Sequence, residues 1–302
     1  MLDLSIYNDK FIDYCRSRKN LSTKTLTAYT TDLKQLWEYT GGDLSKASIC
    51  SYLAYLHDNY KPKTYKRKIA TMKAYIHFLL VEDLIDADPF SKIDTSYREP
   101  VILPKTLPLD IIESVINSAY TEYTQAKTPY TKRIALRNAA VLEMLFATGA
   151  RVSEVCSLLY DNVDLTEHRI KIYGKGSRER IIQIENPAVL NILSEYCQLF
   201  HNSGEKRQYF FLNKYNKRLS EQSVREMIHK YADLSGCRKH ITPHMFRHSF
   251  ATLLLEEDVD IRYIQNILGH SSITTTQIYT HVAMSKQKEI LLAKHPRNKI
   301  NI

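Results

Sequence analysis

The chain lacks the features that would point to a membrane or a secreted protein. No segment approaches the ~18 consecutive apolar residues that span a bilayer, and the N-terminus has no apolar region of the signal-peptide kind. Cysteines number only 5, an odd count, and they are scattered without any CxxC pair. This distribution argues against a disulfide framework or a zinc ribbon. We therefore expect a cytoplasmic protein with reduced thiols and no membrane partner.

Internal repeats and low-complexity tracts are also absent, and the composition is that of a soluble globular protein. Hydrophobic residues make up 44% of the chain and charged residues 25%. A length of 302 residues is enough for two domains. The 42 Lys and Arg exceed the 33 Asp and Glu, giving a net charge of +9. This excess favours a polyanionic partner such as nucleic acid.

Acidic residues are missing from one strongly basic segment, residues 61–73. If this segment is helical, Ile69, Met72 and Ile76 lie on one face and basic side chains line the neighbouring face. The basic face would then contact the phosphates of DNA, although a merely solvated face has the same pattern. The candidate DNA-binding residues are Lys63, Lys66, Arg67 and Lys73.

Helical periodicity dominates the sequence before this segment as well. Ser22 or Thr23 can cap a helix whose apolar residues recur at spacings of three and four, and Gly41 follows its last turn. The pattern stops at residues 95–108, where Pro100 and Pro104 accompany charged residues without any period. This stretch is predicted to be an interdomain linker.

The linker divides the chain into a helical bundle at residues 1–94 and a second domain at residues 109–302. In the second domain, residues 168–173 and 180–184 alternate in the manner of strands, with turn residues between them. The predicted fold is therefore mainly α, with a small antiparallel β-sheet or hairpin in the second domain. Lys175 lies near the tip of this hairpin, a place where basic residues are often only solvated.

The helix that follows Thr242 places basic groups at its N-terminal end. Phe246 and other apolar residues fall on one side, which leaves His244, Arg247 and His248 on the other. The N-terminus of a helix favours an anion through its free N–H groups and its dipole. The two histidines also have a metal-ligand spacing, but the residues between them include an arginine and no glutamate, so we expect no metal.

Two further groups follow this helix. His270 comes directly after Gly269, which is predicted to end the next helix. Tyr279 follows nine residues later, behind a threonine run that weakens helicity. With 21 tyrosines in the chain, any one of them is expected to be a packing residue. Tyr279 is singled out only by the basic residues that precede it in the sequence. Histidine, arginine, histidine and tyrosine in this order can hold a phosphodiester and attack it.

A series of motifs thus runs in order through the second domain. They are residues 147–154 (ATGARVSE), Lys175, residues 244–252 (HMFRHSFAT), residues 268–270 (LGH) and Tyr279. This series resembles the tyrosine recombinase (phage integrase) family, and the N-terminal helical pattern resembles that family's SAM-like core-DNA-binding domain. The likeness covers nearly the whole chain. Ala150 stands where leucine is common, and Met245 with Phe246 replaces a polar-leucine pair, but neither departure removes a catalytic group.

The resemblance implies roles for the groups that would meet the phosphate. Tyr279 would attack the scissile DNA phosphate and form a 3′-phosphotyrosyl bond, which requires neither ATP nor any other cofactor. Arg151 and Arg247 would hold the non-bridging oxygens and stabilise the charge of the transition state. His270 would donate to the same oxygens.

The remaining groups would handle protons or support the arginines. His244 would accept the tyrosine proton or bind the phosphate, and Lys175 would protonate the departing 5′ oxygen. Glu154 would orient the Arg151 guanidinium, or simply stabilise the start of its helix. His248 is assigned to support.

The resemblance also implies an assembly. A helix at about residues 285–295 has an apolar face too small to fold alone, and in this family it packs on a neighbouring protomer. We therefore expect a homotetramer on two DNA sites, with docking on the helix's own domain as the alternative. The chain begins almost directly with the bundle, which favours an Xer-like, two-domain member.

The function implied is site-specific recombination of double-stranded DNA through a Holliday junction, for integration, excision or resolution. Such a protein would be cytoplasmic and associated with the nucleoid. Two rival functions remain open at this point. A type IB topoisomerase would use similar residues to nick and reseal one strand, and a non-catalytic DNA-binding regulator would use the polar cluster only to contact phosphates.

Overall fold

The computed structural model describes residues 4–96, 104–174, 179–201 and 207–269. The chain divides into two units, Met1–Val101 and Ile102–Ile302. Each unit has its own hydrophobic core. Within the described residues, no helix combines the length and the apolar character that crossing a bilayer requires.

Helices make up the first unit, and their ends follow the local sequence. After the 3-10 turn Leu4–Tyr7 come α1 (Asn8–Ser17), α2 (Thr23–Thr40), α3 (Lys46–Asn59) and α4 (Pro62–Val81). The Ser22 hydroxyl accepts the N–H of Thr25 at the start of α2, and Gly41 ends α2 in the left-handed conformation. Both predicted ends of this helix are thereby confirmed. The core between the helices is rich in aromatic rings, including Phe11 and Tyr75 in an edge-to-face pair.

The second unit is also mainly helical and contains one small sheet. Its elements are α5 (Leu109–Gln125), α6 (Pro129–Thr148), α7 (Val152–Cys156), a 3-10 turn (Tyr160–Asn162), β1 (Val163–Asp164), β2 (Arg169–Tyr173), β3 (Glu179–Gln183), α8 (Pro187–His201), α9 (Glu221–Leu234), α10 (Pro243–Glu256) and α11 (Ile261–Leu268). The strands are antiparallel in the order β1-β2-β3, with Ile170 opposite Ile182. The predicted hairpin is confirmed, whereas β1 is too short to show an alternating pattern.

Helix α6 forms the centre of the second unit. It packs against α5, α8 and α10, and its middle residues Ala139, Ala140 and Val141 are fully buried. Small side chains on several faces let neighbouring helices approach closely. The C-terminal end of this rigid helix carries the loop that leads to Arg151.

The end of the predicted linker belongs to the second unit. Leu107 is buried in its core, and the backbone N–H of Leu107 donates to the Ser249 hydroxyl of α10 over 2.6 Å. The prediction of a linker at residues 95–108 rests on their prolines and their lack of periodicity. Neither signal can reveal a contact with a residue 142 positions away.

Candidate phosphate-binding active site

The loop between α6 and α7 depends on a glycine. Gly149 has φ +57°, in the left-handed region, and a Cβ added there would lie 2.5 Å from Cδ1 of Phe250 and 2.9 Å from Cδ2 of Leu268. Such distances are well inside van der Waals contact, so no side chain fits unless the side chains of Phe250 and Leu268 move. The Thr148 hydroxyl reinforces the turn by accepting the N–H of Ala150 at 3.1 Å. The loop is therefore packed directly against both later helices.

Arg151 stands at the start of α7, where Glu154 binds it twice. Glu154 Oε1 accepts from Arg151 Nη1 at 2.8 Å, and Glu154 Oε2 accepts from the Arg151 backbone N–H at 2.8 Å. Glu154 thus plays both predicted roles at once: one oxygen orients the Arg151 guanidinium, and the other accepts a backbone N–H at the start of the helix. The Arg151 side chain is 34% exposed, which leaves it in reach of a ligand.

Arg180 on β3 is a member of this cluster that the sequence reasoning missed. Its Nη1 and Nη2 donate to the two carboxylate oxygens of Glu154 at 3.2 and 2.8 Å, and its Nε donates to the carbonyl of Ile267 at 2.7 Å. A strand side chain shares its face with the residue two positions on, and Ile182 is buried. The alternation of the strand therefore predicts that Arg180 faces inward with Ile182. The apolar Ile181 between them hides this pattern, because its side chain is exposed although it is hydrophobic.

The charge of Glu154 is maintained against its burial. Burial alone raises the pKa of this carboxyl, but the hydrogen bonds and positive charge of Arg180, followed by the hydrogen bonds of Arg151, outweigh the effect of burial. The net pKa is below its ordinary value, so Glu154 is ionised at neutral pH.

The position of Arg247 differs from the prediction that the three basic residues of α10 lie together on the side opposite its apolar residues. Its side chain is buried, with 3% of the residue exposed, and donates from Nη1 to the Gly149 carbonyl at 2.8 Å and from Nη2 to the Leu268 carbonyl at 2.7 Å. Both carbonyls lie at helix ends, where no intrahelical donor is available. The guanidinium thus turns inward, while Phe250, predicted for the packed side, is only partly buried.

The two histidines of α10 differ in environment. His244 is exposed and His248 is partly buried, with ring centroids 6.4 Å apart. Burial, followed by the positive charges of His244 and Arg247, lowers the pKa of His248 to about 4. His248 is therefore neutral at pH 7. Among the described residues, no group of three or more His, Cys, Asp or Glu is arranged to hold a metal ion.

A cleft of about 450 Å³ adjoins Arg151. Its lining includes Tyr173 and Gly174, the last residues before Lys175, so it extends to the turn end of strand β2. Arg218, which donates to the Cys156 carbonyl, adds a further cation that the sequence analysis did not single out. Lys175, His270 and Tyr279 lie outside the described residues, as does the predicted helix at about 285–295.

The basic segment of the first unit is helical, as predicted, but its charges are not all available. Lys63, Lys66, Arg67 and Lys73 are exposed on α4. Lys68, in contrast, is buried and donates to Asp32 on α2 at 3.0 Å, and Arg67, 41% exposed at its side chain, pairs with the same carboxylate. The basic segment itself contains no acidic residue, but Asp32 of the neighbouring helix α2 neutralises part of its charge.

Comparisons with known proteins give one consistent family. The model of the phage integrase family matches residues 115–286, and that of the phage integrase N-terminal SAM-like domain matches residues 9–83. A tyrosine recombinase of Agathobacter rectalis is 52% identical over 98% of this chain and 98% of its own length. The tyrosine recombinase XerD of Listeria innocua is 35% identical over 96% and 98%.

Solved structures with the same fold include two Xer recombinases. A XerH recombinase bound to a palindromic difH substrate, in a post-cleavage complex, aligns with a TM-score of 0.76 and 20% identity over 95% of this chain and 84% of that chain. The XerA recombinase aligns with a TM-score of 0.55 and 26% identity over 97% and 99%. The first of these likenesses concerns the fold alone.

Proposed function

Because the chain belongs to the tyrosine recombinase (phage integrase) family, we propose that it is a site-specific recombinase that cleaves and rejoins DNA through Tyr279. The observation that supports this most is the meeting of two arginines at one loop. Arg247 binds the carbonyl of Gly149, two residues before Arg151. Two guanidinium groups held at one turn provide the charge-assisted donors that a phosphate requires.

The arginines would act on the non-bridging oxygens of the scissile phosphate. A guanidinium has five N–H donors, so Arg247 can be fixed by two carbonyls and still bind a phosphate oxygen. Arg151 is held by Glu154 at the edge of the cleft. Donors that are already fixed need no reorganisation as charge develops in the transition state, which is the main source of electrostatic catalysis.

The covalent step exchanges one phosphoester for another. The Tyr279 phenol oxygen forms a bond to phosphorus while the bond to the 5′ oxygen breaks, which leaves a 3′-phosphotyrosyl and a free 5′-hydroxyl. We assign the phenol proton to His244, which is exposed at the start of α10, and the proton gained by the 5′ oxygen to Lys175. His270 would add a donor to the phosphate. Attack by the 5′-hydroxyl of a partner strand reverses the step, and two rounds pass through a Holliday junction.

The proposed assembly is a homotetramer on two DNA sites. One structurally similar protein is a lambda integrase tetramer bound to a Holliday junction, at 17% identity. An open groove of about 790 Å³ in the second unit is lined in part by Phe146, Phe250, Leu253 and Leu254, which supports a surface that receives the apolar face of residues 285–295 from a neighbour. Truncation after His281 should abolish cooperative assembly on DNA. Retained cooperativity would argue for docking within one chain.

The candidate DNA contacts of the first unit are Lys63, Lys66, Arg67 and Lys73. The domains at 1–94 and 109–302 would each contact the DNA duplex. Curated relatives are named XerD and XerC, which favours an Xer-like role. A recombinase acts where its DNA is, so we expect a cytoplasmic protein bound to the nucleoid.

A nicked suicide substrate tests the proposed chemistry. The nick lets the short 5′-hydroxyl fragment diffuse away, so a cleaved strand stays attached to the protein and resists denaturant. We expect an adduct that maps to Tyr279, no adduct with Tyr279→Phe, and unchanged DNA binding by that variant. A type IB topoisomerase would also form the adduct but would relax supercoiled DNA without joining two sites. A DNA-binding regulator would form no adduct.

A further inference from the structure

Arg180 joins the Glu154 carboxylate to the end of α11. Its guanidinium holds both carboxylate oxygens of Glu154, and its Nε holds the carbonyl of Ile267 in the last turn of α11. We propose that Arg180 is a positioning residue, which sets the orientation of Arg151 through Glu154 and at the same time anchors the end of α11. The proposal rests on the proposed recombinase function.

The contacts require a guanidinium in this position. Three different nitrogens of Arg180 make the bonds, in the fork geometry that matches a carboxylate. The side chain is only 9% exposed, so water does not replace a lost bond readily. A lysine would keep the charge but has a single nitrogen on a flexible stem, and it could not hold the carboxylate and the carbonyl together.

Through Glu154, the position of Arg180 reaches Arg151. Glu154 Oε1 accepts from Nη1 of both arginines, and Oε2 accepts from Arg180 Nη2 and from the Arg151 backbone N–H. Glu154 is almost completely buried, so the two arginines fix its rotamer between them. Loss of Arg180 would leave a buried carboxylate with Arg151 alone, and Arg151 would be drawn towards it and away from the cleft.

The second end of Arg180 fixes the chain that leads to His270. The carbonyls of Ile267 and Leu268 accept from Arg180 and Arg247 respectively, so two arginines tie down the last turn of α11. Gly269 follows with φ +66°, and a Cβ there would lie 3.0 Å from Arg180 Nη1. The absence of a side chain at Gly269 therefore leaves the space that the Arg180 guanidinium occupies. The residue after this glycine is His270, and β3 itself begins just after the hairpin residue Lys175.

Arg180→Lys tests the proposal, with Arg169→Lys as the matched control. Arg169 lies on the neighbouring strand β2 and makes only exposed ion pairs with Asp164 and Glu167 at 3.8 and 3.7 Å. With nicked suicide DNA at saturating concentration, we expect Arg180→Lys to slow adduct formation by about 10–100-fold. DNA affinity should change by less than about 3-fold, and the control should match the wild type in both. Equal rates for the two variants would overturn the proposal.

The pH dependence of the rate gives a readout that a purely structural role would not move. The groups that contact Glu154 are Arg151 and Arg180, and Arg218 and Tyr173 line the same cleft. With Arg180→Met, burial should raise the pKa of Glu154, so adduct formation should fall more steeply from pH 8 to pH 6 than in the wild type. The same slope as the wild type would contradict the link to Glu154.

A double-mutant cycle keeps the proposal testable even without an adduct. Arg180→Met and Glu154→Gln are combined, and the midpoint of urea unfolding is measured for each protein. If the pair is coupled as described, Arg180→Met should shift the midpoint much less in the Glu154→Gln background than alone. Additive shifts would sink the proposal. A wild type that forms no adduct while the pair remains coupled would instead reject the proposed function.

Discussion

Each unit contains a buried carboxylate that holds two basic side chains, but the two clusters connect different things. In the first unit Asp32 binds Arg67 and Lys68, which are neighbours on α4, so the cluster joins one helix to another. In the second unit Glu154 binds Arg151 at a helix start and Arg180 on a strand, and Arg180 continues to the end of α11. The same ion-pair chemistry stabilises packing in one unit and orients charged groups around a cleft in the other.

The largest effect on stability should come from the first cluster. Asp32→Asn leaves the buried ammonium of Lys68 without its counter-charge, and we expect the free energy of unfolding to fall by about 3–5 kcal/mol. Urea denaturation measures it. Asp13→Asn is the control, because its pair with Arg16 is solvent-exposed, and it should cost less than about 1 kcal/mol. Similar small losses for both variants would show that the Asp32 cluster contributes little.

Two glycines after helices sharpen the comparison further. Gly41 and Gly149 both have left-handed φ, but a Cβ at Gly41 meets nothing within 4 Å, whereas one at Gly149 collides with Phe250 and Leu268. We expect Gly41→Ala to cost about 1–2 kcal/mol from backbone strain alone. Gly149→Ala should cost at least ~2 kcal/mol and also slow adduct formation, because the loop bearing Arg151 shifts. Equal costs and unchanged rates would contradict the packing described for Gly149.

The contrast between the clusters also marks what the sequence could predict. Local signals succeeded: the hydroxyl of Ser22, the glycine at 41 and the alternation around the hairpin act through neighbouring residues. The ion pairs between distant residues were not predicted, because Lys68 and Asp32 are 36 positions apart and Arg180 and Glu154 are 26 apart. Periodicity describes one helix at a time, so it could not show that helix ends on two other segments would draw Arg247 inward.

The most gradual effect we predict is a pH dependence of stability from His248. Its pKa is lowered to about 4 in the folded protein from an ordinary 6.5, so the unfolded chain binds more protons between these values. The free energy of unfolding should therefore fall as the pH drops from 7 to 5, by at most about 1.4 kcal/mol per pH unit from this group.

His248→Asn should flatten the dependence in urea titrations at pH 7, 6 and 5. Glu154, whose pKa is lowered, contributes stability that is present above its ordinary value of 4.5 and is lost below it, outside this range. An unchanged slope in His248→Asn would show that the imidazole titrates normally.

The most direct test of the account compares the two clusters in one reaction. Adduct formation on nicked DNA is measured in a single turnover at saturating DNA, with Glu154→Gln and Asp32→Asn at a temperature where both are folded, on a site selected by binding from a random DNA pool. The account predicts a rate about 10–100-fold lower for Glu154→Gln and a wild-type rate for Asp32→Asn. Equal rates for the two variants would contradict the claim that only the second cluster orients the reacting groups.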